Sequence, residues 1–370
     1  MSEYRGQKSE VRSQKTEVRF PSSEFWIPTS DIRLLISRKK GLIKVDFEIK
    51  VLVITFILSV VCGLIIIPIL KKLKVGQIER SDGPASHLKK QGTPTMGGII
   101  MIIASIIAVT ITYIMMNIMG KGDIGAKLLP LLVITIGFGM IGFIDDFKKL
   151  VLKNTDGLKP KHKMLGLLII AVCYVLFLVY GLKIGTETYI PLLKTYINIP
   201  VFLYIPLAII VLIATTNAIN LTDGIDGLAS SISAIIITCL TVIGINSQIY
   251  EVSIFGSIII GATLGFLMFN IHPAKVFMGD TGSLMLGGVI SGLALYLKMP
   301  LLLLIIAIIP VLEALSVIIQ VAYFKKTGNR IFKMAPLHHH FELSGWRENK
   351  VVVIFSVITL VVCFVGLKVI

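Results

Sequence analysis

Two adjacent aspartates, Asp145 and Asp146, close an apolar run and are followed by Lys148 and Lys149. A carboxylate beside hydrocarbon is costly, about 2.5–3.5 kcal/mol at mid-bilayer and less at the edge. Mg²⁺, lysine partners or solvation must offset that cost. Adjacent side chains on a helix diverge by about 100°, which predicts different roles for the two. Carboxylates followed by lysines suit a site that handles Mg²⁺ and phosphates; a solvated helix end of mixed charge has the same composition. Lys149, Lys153 and Lys161 continue the basic side of this segment.

Four further segments carry groups of the same kind. Residues 217–229 read NAINLTDGIDGLA, with Asn220, Asp223 and Asp226 and no Lys or Arg to pair with them. The glycines allow tight turns and close approach to a ligand. The spacing and terminal Glu of an EF-hand are absent. Residues 270–283 hold Asn270, His272, Phe277 and Asp280, with Asp280 flanked by Gly279 and Gly282. A carboxylate at such a helix start can bind a cation beside backbone N–H groups, and Phe277 either stacks on a base or sits at the membrane interface. Residues 335–346 contain His338, His339 and His340. Consecutive side chains point apart and no Cys accompanies them, so this is a poor metal site. Imidazoles there bind phosphate, shuttle protons or line a polar turn. Finally, Lys89-Lys90 and Thr95 flank a Gly/Pro-rich stretch that suits a phosphate, a nucleobase or a lipid headgroup.

These segments must be positioned by apolar helices. The chain has 370 residues, 55% hydrophobic and 15% charged, against about a quarter charged in soluble domains. Spanning hydrocarbon as helix takes about 20 residues, and the continuous Ile/Leu/Val runs exclude the alternation of a β-barrel. Ten spans are expected, at 50–70, 97–119, 127–144, 164–182, 200–217, 228–246, 252–270, 282–297, 300–322 and 351–368. All six histidines fall in odd-numbered loops, as do ten of the fourteen acidic residues beyond position 50. Those loops also hold 19 Lys and Arg, against five in the even ones. The positive-inside rule places the odd loops in the cytoplasm and both termini outside. The reading is thus an all-α integral membrane protein of ten helices, with a water-facing site on the cytoplasmic face. Cys62, Cys173, Cys239 and Cys363 all lie in spans and are read as buried free thiols. Glu313 is the one carboxylate well within a span, either protonated or paired across helices.

The first 45 residues carry ten Lys and Arg, contain a near repeat (7–12 and 14–19) and lack a signal peptide's apolar run. They are read as a disordered basic extension outside the native product, or else a basic arm on the membrane surface, preceding a single domain at 46–370. The net charge of +15 is distributed over membrane-facing loops, and no nucleic-acid partner is expected.

Taken together, GTPTMGG at 92–98, DDFKK at 145–149, NAINLTDGIDGLA at 217–229, FMGDTGS at 277–283 and APLHHHFELSGW at 335–346 resemble the polyprenyl-phosphate N-acetylhexosamine-1-phosphate transferases. The last segment resembles the phospho-N-acetylmuramoyl-pentapeptide branch in particular. One departure is Phe147, where members often have Tyr. Residues 180–200 match the family's short outer hairpin. The resemblance implies a multi-pass protein of the bacterial cytoplasmic membrane, Mg²⁺-dependent and homodimeric. It further implies transfer of phospho-MurNAc-pentapeptide from UDP-MurNAc-pentapeptide to undecaprenyl phosphate, giving lipid I and UMP. In that reading Asp145, Asp146, Asp280 and His338 are catalytic, with Asp280 the metal ligand. Lys149, Lys153, Lys161 and the histidines, His339 and His340 included, meet phosphates. Lys90, Thr95, Asn220, Asp223, Asp226, Asn270 and Phe277 bind the nucleotide. A UDP-GlcNAc-type transferase is the nearest alternative. A secondary transporter fits less well, because transporters place their sites near the bilayer midplane.

Overall fold

In hydrocarbon the backbone has no polar partner but itself, so each long Ile/Leu/Val run resolves into a helix. The computed structural model describes the backbone of residues 29–73, 92–150 and 157–370, with side chains from Asp46 onward within those ranges. The chain falls into two units, Met1–Lys44 and Val45–Ile370. Residues 1–28 of the expected extension, and Lys90 and Lys153 among the expected ligands, lie outside the described residues.

The helices are α1 (Thr29–Lys72), α2 (Gly98–Ile118), a short α3 (Gly122–Ala126), α4 (Leu128–Leu150), α5 (Pro160–Leu176), α6 (Val201–Thr222), α7 (Leu228–Asn246), α8 (Tyr250–Asn270), α9 (Gly279–Tyr296), α10 (Leu303–Ile306), α11 (Ile308–Thr327), α12 (Leu337–Glu342) and α13 (Glu348–Val369). Among the described residues nine helical segments are long and apolar enough to cross a membrane. Outward-facing Leu64, Ile65, Val133, Ile169, Ile210, Ile318 and Phe364 form the apolar exterior that such segments present to lipid.

α9 is the exception, because Asp280 and its glycines and serines dilute its hydropathy. It needs no lipid-facing surface: every residue from Thr281 to Tyr296 is buried. It packs against α4, α6, α2 and α7 at the centre of the bundle. Small residues let the neighbouring backbones approach closely.

The expected ninth span, 300–322, is not one helix. A 3-10 turn at Pro300–Leu302 leads into α10, the chain breaks at Ala307, and α11 starts at Ile308 and runs on to Thr327. Pro310 explains the break: its ring would strike the carbonyl of Ile306 if the helix were continuous, and it has no N–H to give. The cysteines also divide. Cys239 and Cys363 are buried as expected, whereas Cys173 is exposed on the outer surface of α5.

At one end of the bundle β1 (Glu187–Ile190) and β2 (Thr195–Asn198) form the antiparallel hairpin, with Tyr189 opposite Tyr196. The Tyr189 hydroxyl donates to the carbonyl of Val369 at 2.7 Å, so the end of α13 lies against this hairpin. The polar loops that follow α4, α6, α8 and α11 gather at the other end.

Candidate active site

α4 runs two turns past the expected boundary, so Asp145 and Asp146 sit within its last turns, both buried. Their side chains diverge as the helical geometry predicts. Asp146 turns to α9: Oδ1 accepts the N–H of Asp280 (3.2 Å), and Oδ2 accepts the N–H (2.9 Å) and the hydroxyl (2.7 Å) of Thr281. It therefore caps α9, satisfying donors that a helix start leaves open. Gly142, one turn earlier, makes the approach possible. A Cβ there would lie 2.6 Å from the nitrogen of Thr281.

Asp145 faces the loop instead. Its Oδ2 accepts from Lys149 Nζ at 2.7 Å and its Oδ1 from the backbone N–H of Leu158 at 2.6 Å. Asp280 reaches the same place from α9. Its Oδ2 accepts from Lys163 Nζ (2.8 Å) and Lys149 Nζ (3.2 Å), and Lys163 Nζ is also 3.6 Å from Asp145 Oδ2. Two carboxylates from two helices thus converge on two shared ammonium groups. Asn220, near the end of α6, holds the remaining oxygen of Asp280 at 2.8 Å and reaches Ser283 Oγ at 2.8 Å. Asp223 is half-buried just past α6. Burial pushes its carboxyl well above the usual range, and the negative charges of Asp280, Asp146 and Asp226 add to the shift.

The rest of the 217–229 segment is tied down from below. Asp226 is buried and accepts from the backbone N–H of Ala274 (3.0 Å), with His272 Nδ1 also at 3.0 Å. Glu348, at the start of α13, accepts the N–H of Asp226 at 2.7 Å and lies 3.2 Å from the same imidazole nitrogen. One ligand atom from each of Asp226, His272 and Glu348 falls within 4.8 Å of the others. Asn270 is buried and engaged on every side. It accepts from Ser230 (2.7 Å) and the N–H of Gly227 (3.2 Å) and donates to the carbonyl of Val276 (3.0 Å).

The 92–98 segment pairs with the chain leading into α9: Gly97 N–H donates to Phe277 O (2.9 Å), Gly98 N–H to Met278 O (3.0 Å), and Phe277 N–H to Pro94 O (2.8 Å). Thr95 is buried against Gly279, while Phe277 is half-buried.

The three histidines take three directions. His338 is fully buried, with Nδ1 3.2 Å from Glu313 Oε1. His339 Nδ1 meets Glu342 at 2.9 Å. His340 Nδ1 accepts the N–H of Lys333 at 3.1 Å, and its ring packs edge-on to Phe332 and Phe341.

Asp145, Asp146, Lys149, Asn220, Asp223 and Asp280 therefore come together. Lys161 does not join them: it is exposed at the start of α5, beside Met164, Leu165 and Leu168. Lys163 takes the place expected for it. Both lysines were visible in the sequence, but two positions on a helix turn by about 200°, and only the placement of α5 decides which faces Asp280. Glu348 and Thr281 were missed, and His272 was named without a role; the partners of each are over 40 positions away. The carboxylates of Asp145 and Asp280 offer hard oxygen donors to one cationic position. That donor set fits Mg²⁺.

A family model described as Glycosyl transferase family 4 matches residues 128–298. A phospho-N-acetylmuramoyl-pentapeptide-transferase of Clostridium botulinum (strain Eklund 17B / Type B) is 50% identical over 318 residues, covering 85% of this chain and 94% of its own length. The protein of that name from Acetivibrio thermocellus is 46% identical over 318 residues, 85% of this chain and 93% of its own length. That from Caldicellulosiruptor bescii is 45% identical over 319 residues, with 86% and 96% covered.

Proposed function

The chain belongs to the phospho-N-acetylmuramoyl-pentapeptide-transferase family, and we infer from that membership that it transfers phospho-MurNAc-pentapeptide from UDP-MurNAc-pentapeptide to a polyprenyl phosphate in peptidoglycan synthesis. Undecaprenyl phosphate is the acceptor, and lipid I and UMP are the products. The observation that carries this reading at the level of chemistry is the convergence of Asp145 and Asp280 on Lys149 and Lys163.

The reaction exchanges one phosphoanhydride for another. An acceptor phosphate oxygen bonds to the sugar-bearing phosphorus, the bond from that phosphorus to the bridging oxygen breaks, and the electron pair leaves on UMP. The obstacle is the approach of one anion to another. The second pKa of a phosphate monoester is about 6, so the acceptor needs no strong base at neutral pH. The work of the protein is positioning and charge screening. Lys149 and Lys163 screen the phosphates. Asp145 and Asn220 orient the groups around Asp280, and Asp146 fixes Asp280 from behind. Mg²⁺ would be held by Asp280 with Asp145, and when bound it neutralises the diphosphate and stabilises the departing UMP. The displacement is single-step, with no aspartyl adduct.

Uridine is held by the 217–229 and 270–277 segments, with Phe277 stacked on the base, Asp223 and Asp226 near the ribose, and Thr95 closing the far side. His339 and His340 lie around the phosphate and peptide approaches. α9 is the tenth crossing: its 18 residues rise about 27 Å, close to the hydrocarbon thickness of about 30 Å. The lysine-rich end then faces the cytoplasm of a bacterium, where nucleotide-linked precursors are made, with both termini outside and two chains paired in the cytoplasmic membrane. The test is UMP release by the purified protein with UDP-MurNAc-pentapeptide and undecaprenyl phosphate. Consumption of UDP-GlcNAc in its place would favour the other branch of the superfamily.

A further inference from the structure

Glu313 is a carboxylate on α11, fully buried. Its Oε1 accepts the backbone N–H of His338 at 3.2 Å and lies 3.2 Å from that residue's Nδ1. Its Oε2 has no hydrogen-bond partner, and neither ring nitrogen of His338 makes a well-formed hydrogen bond among the described residues. A carboxyl at such depth needs a polar partner, and His338 supplies it through its backbone N–H and the adjacent ring. On one side the imidazole packs against His339, with ring centroids 4.1 Å apart and the planes tilted by 60°. On the other it lies against Gly224: a Cβ built on Gly224 would meet the ring, with Cε1 at 2.7 Å and Cδ2 at 3.0 Å. Gly224 follows Asp223 in the turn that faces Asp280 and Asp146.

We propose that Glu313 and His338 form a buried positioning dyad, in which Glu313 orients the imidazole and the imidazole sets the Asp223–Gly224 turn on the donor-nucleotide side of the site. His338 then acts from beneath the turn and does not touch the reacting phosphates. Glycine is required at 224 because the ring occupies the space of any side chain. This inference rests on the transferase reading, since it assigns the dyad to the nucleotide half of that site.

The experiment measures UMP release by the full-length purified protein, with the KM for UDP-MurNAc-pentapeptide and that for undecaprenyl phosphate determined separately. Gly224→Ala is expected to lower kcat/KM about 100-fold, the cost of a displacement near 1 Å at a reacting site. Adding His338→Ala removes the obstructing ring, and the double variant is expected to recover about tenfold over Gly224→Ala alone, as coupled neighbours do. Glu313→Leu is expected to raise the donor KM about 30-fold, leaving the acceptor KM within about twofold, because one side of the site is misplaced. Glu313→Gln, which still accepts the His338 N–H, restores most of that loss. A double variant no more active than Gly224→Ala overturns the proposal, as does Glu313→Leu with wild-type donor KM. If Gly224→Ala does not fold, the two Glu313 variants decide between the same outcomes. Failure of the wild-type protein to release UMP from that donor would overturn the transferase reading itself.

Discussion

Replacing Asp146 by Asn isolates what its charge does. The carboxylate accepts three hydrogen bonds from the first residues of α9, at 3.2, 2.9 and 2.7 Å. An amide has one accepting oxygen: set toward Thr281 it keeps two of the three bonds, but its NH₂ then faces the Asp280 N–H, so at least one bond is lost and replaced by a donor–donor contact. Hydrogen bonds to charged groups contribute about 1.5–3 kcal/mol each, and a lost cap costs about 0.5–2 kcal/mol. A net destabilisation of about 2–4 kcal/mol follows on the same basis. Because Asp280 belongs to the capped turn, its carboxylate shifts with the helix start, and a displacement near 1 Å costs about 100-fold in rate. The assay is UMP release over a Mg²⁺ titration, with the thermal midpoint of the purified protein read alongside. The expected result is a lower midpoint and a lower kcat that added Mg²⁺ does not recover. Thr281→Val, which loses one of the three bonds, should show a smaller version of both. An Asp146→Asn protein of unchanged midpoint, fully active at high Mg²⁺, would refute the capping role and make Asp146 a metal ligand.

Lys163→Met should lower kcat/KM by about 100-fold, whereas Lys161→Met, at an exposed position, should change it by less than about threefold; steady-state UMP release compares them. Denatured, acid-quenched protein taken during turnover should carry no phospho-MurNAc on Asp145, and mass spectrometry detecting such an adduct would replace the single displacement by a two-step route. Asp223 gives a pH signature. Its folded carboxyl holds a proton that the unfolded chain releases at ordinary carboxylate pH, so its contribution to stability is present at low pH and lost as pH rises toward the raised value. Asp223→Asn keeps the neutral form at all pH and should flatten the fall of the metal-free protein's thermal midpoint between acid and neutral pH.

Much of the helical architecture was legible because hydrocarbon imposes it: a run of Ile, Leu and Val has one way to satisfy its backbone. The exceptions follow from local chemistry. α9, expected as the span at 282–297, carries Asp280 and several glycines because protein surrounds it on every side, a burial that hydropathy does not register. The break at Ala307 was signalled by Pro310, but an apolar run on either side hid it. In the site, the adjacency of Asp145 and Asp146 foretold separate roles without saying which carboxylate does what; the position of α9 decides that. Lys163 was indistinguishable from Lys161 until α5 was placed. Pairings such as Glu313 with His338, or Glu348 with Asp226, join residues distant in sequence and left no local signal.

The central claim is that Asp145 and Asp280 share one cationic position and that this position serves the diphosphate. Its most direct measurement is the Mg²⁺ dependence of UMP release by wild-type, Asp145→Asn and Asp280→Asn proteins, with UDP-MurNAc-pentapeptide and undecaprenyl phosphate as substrates. The expected result is no UMP from the wild-type protein without a divalent cation, and a raised Mg²⁺ requirement with much reduced kcat in each variant. Full activity of Asp280→Asn at low Mg²⁺ would contradict it.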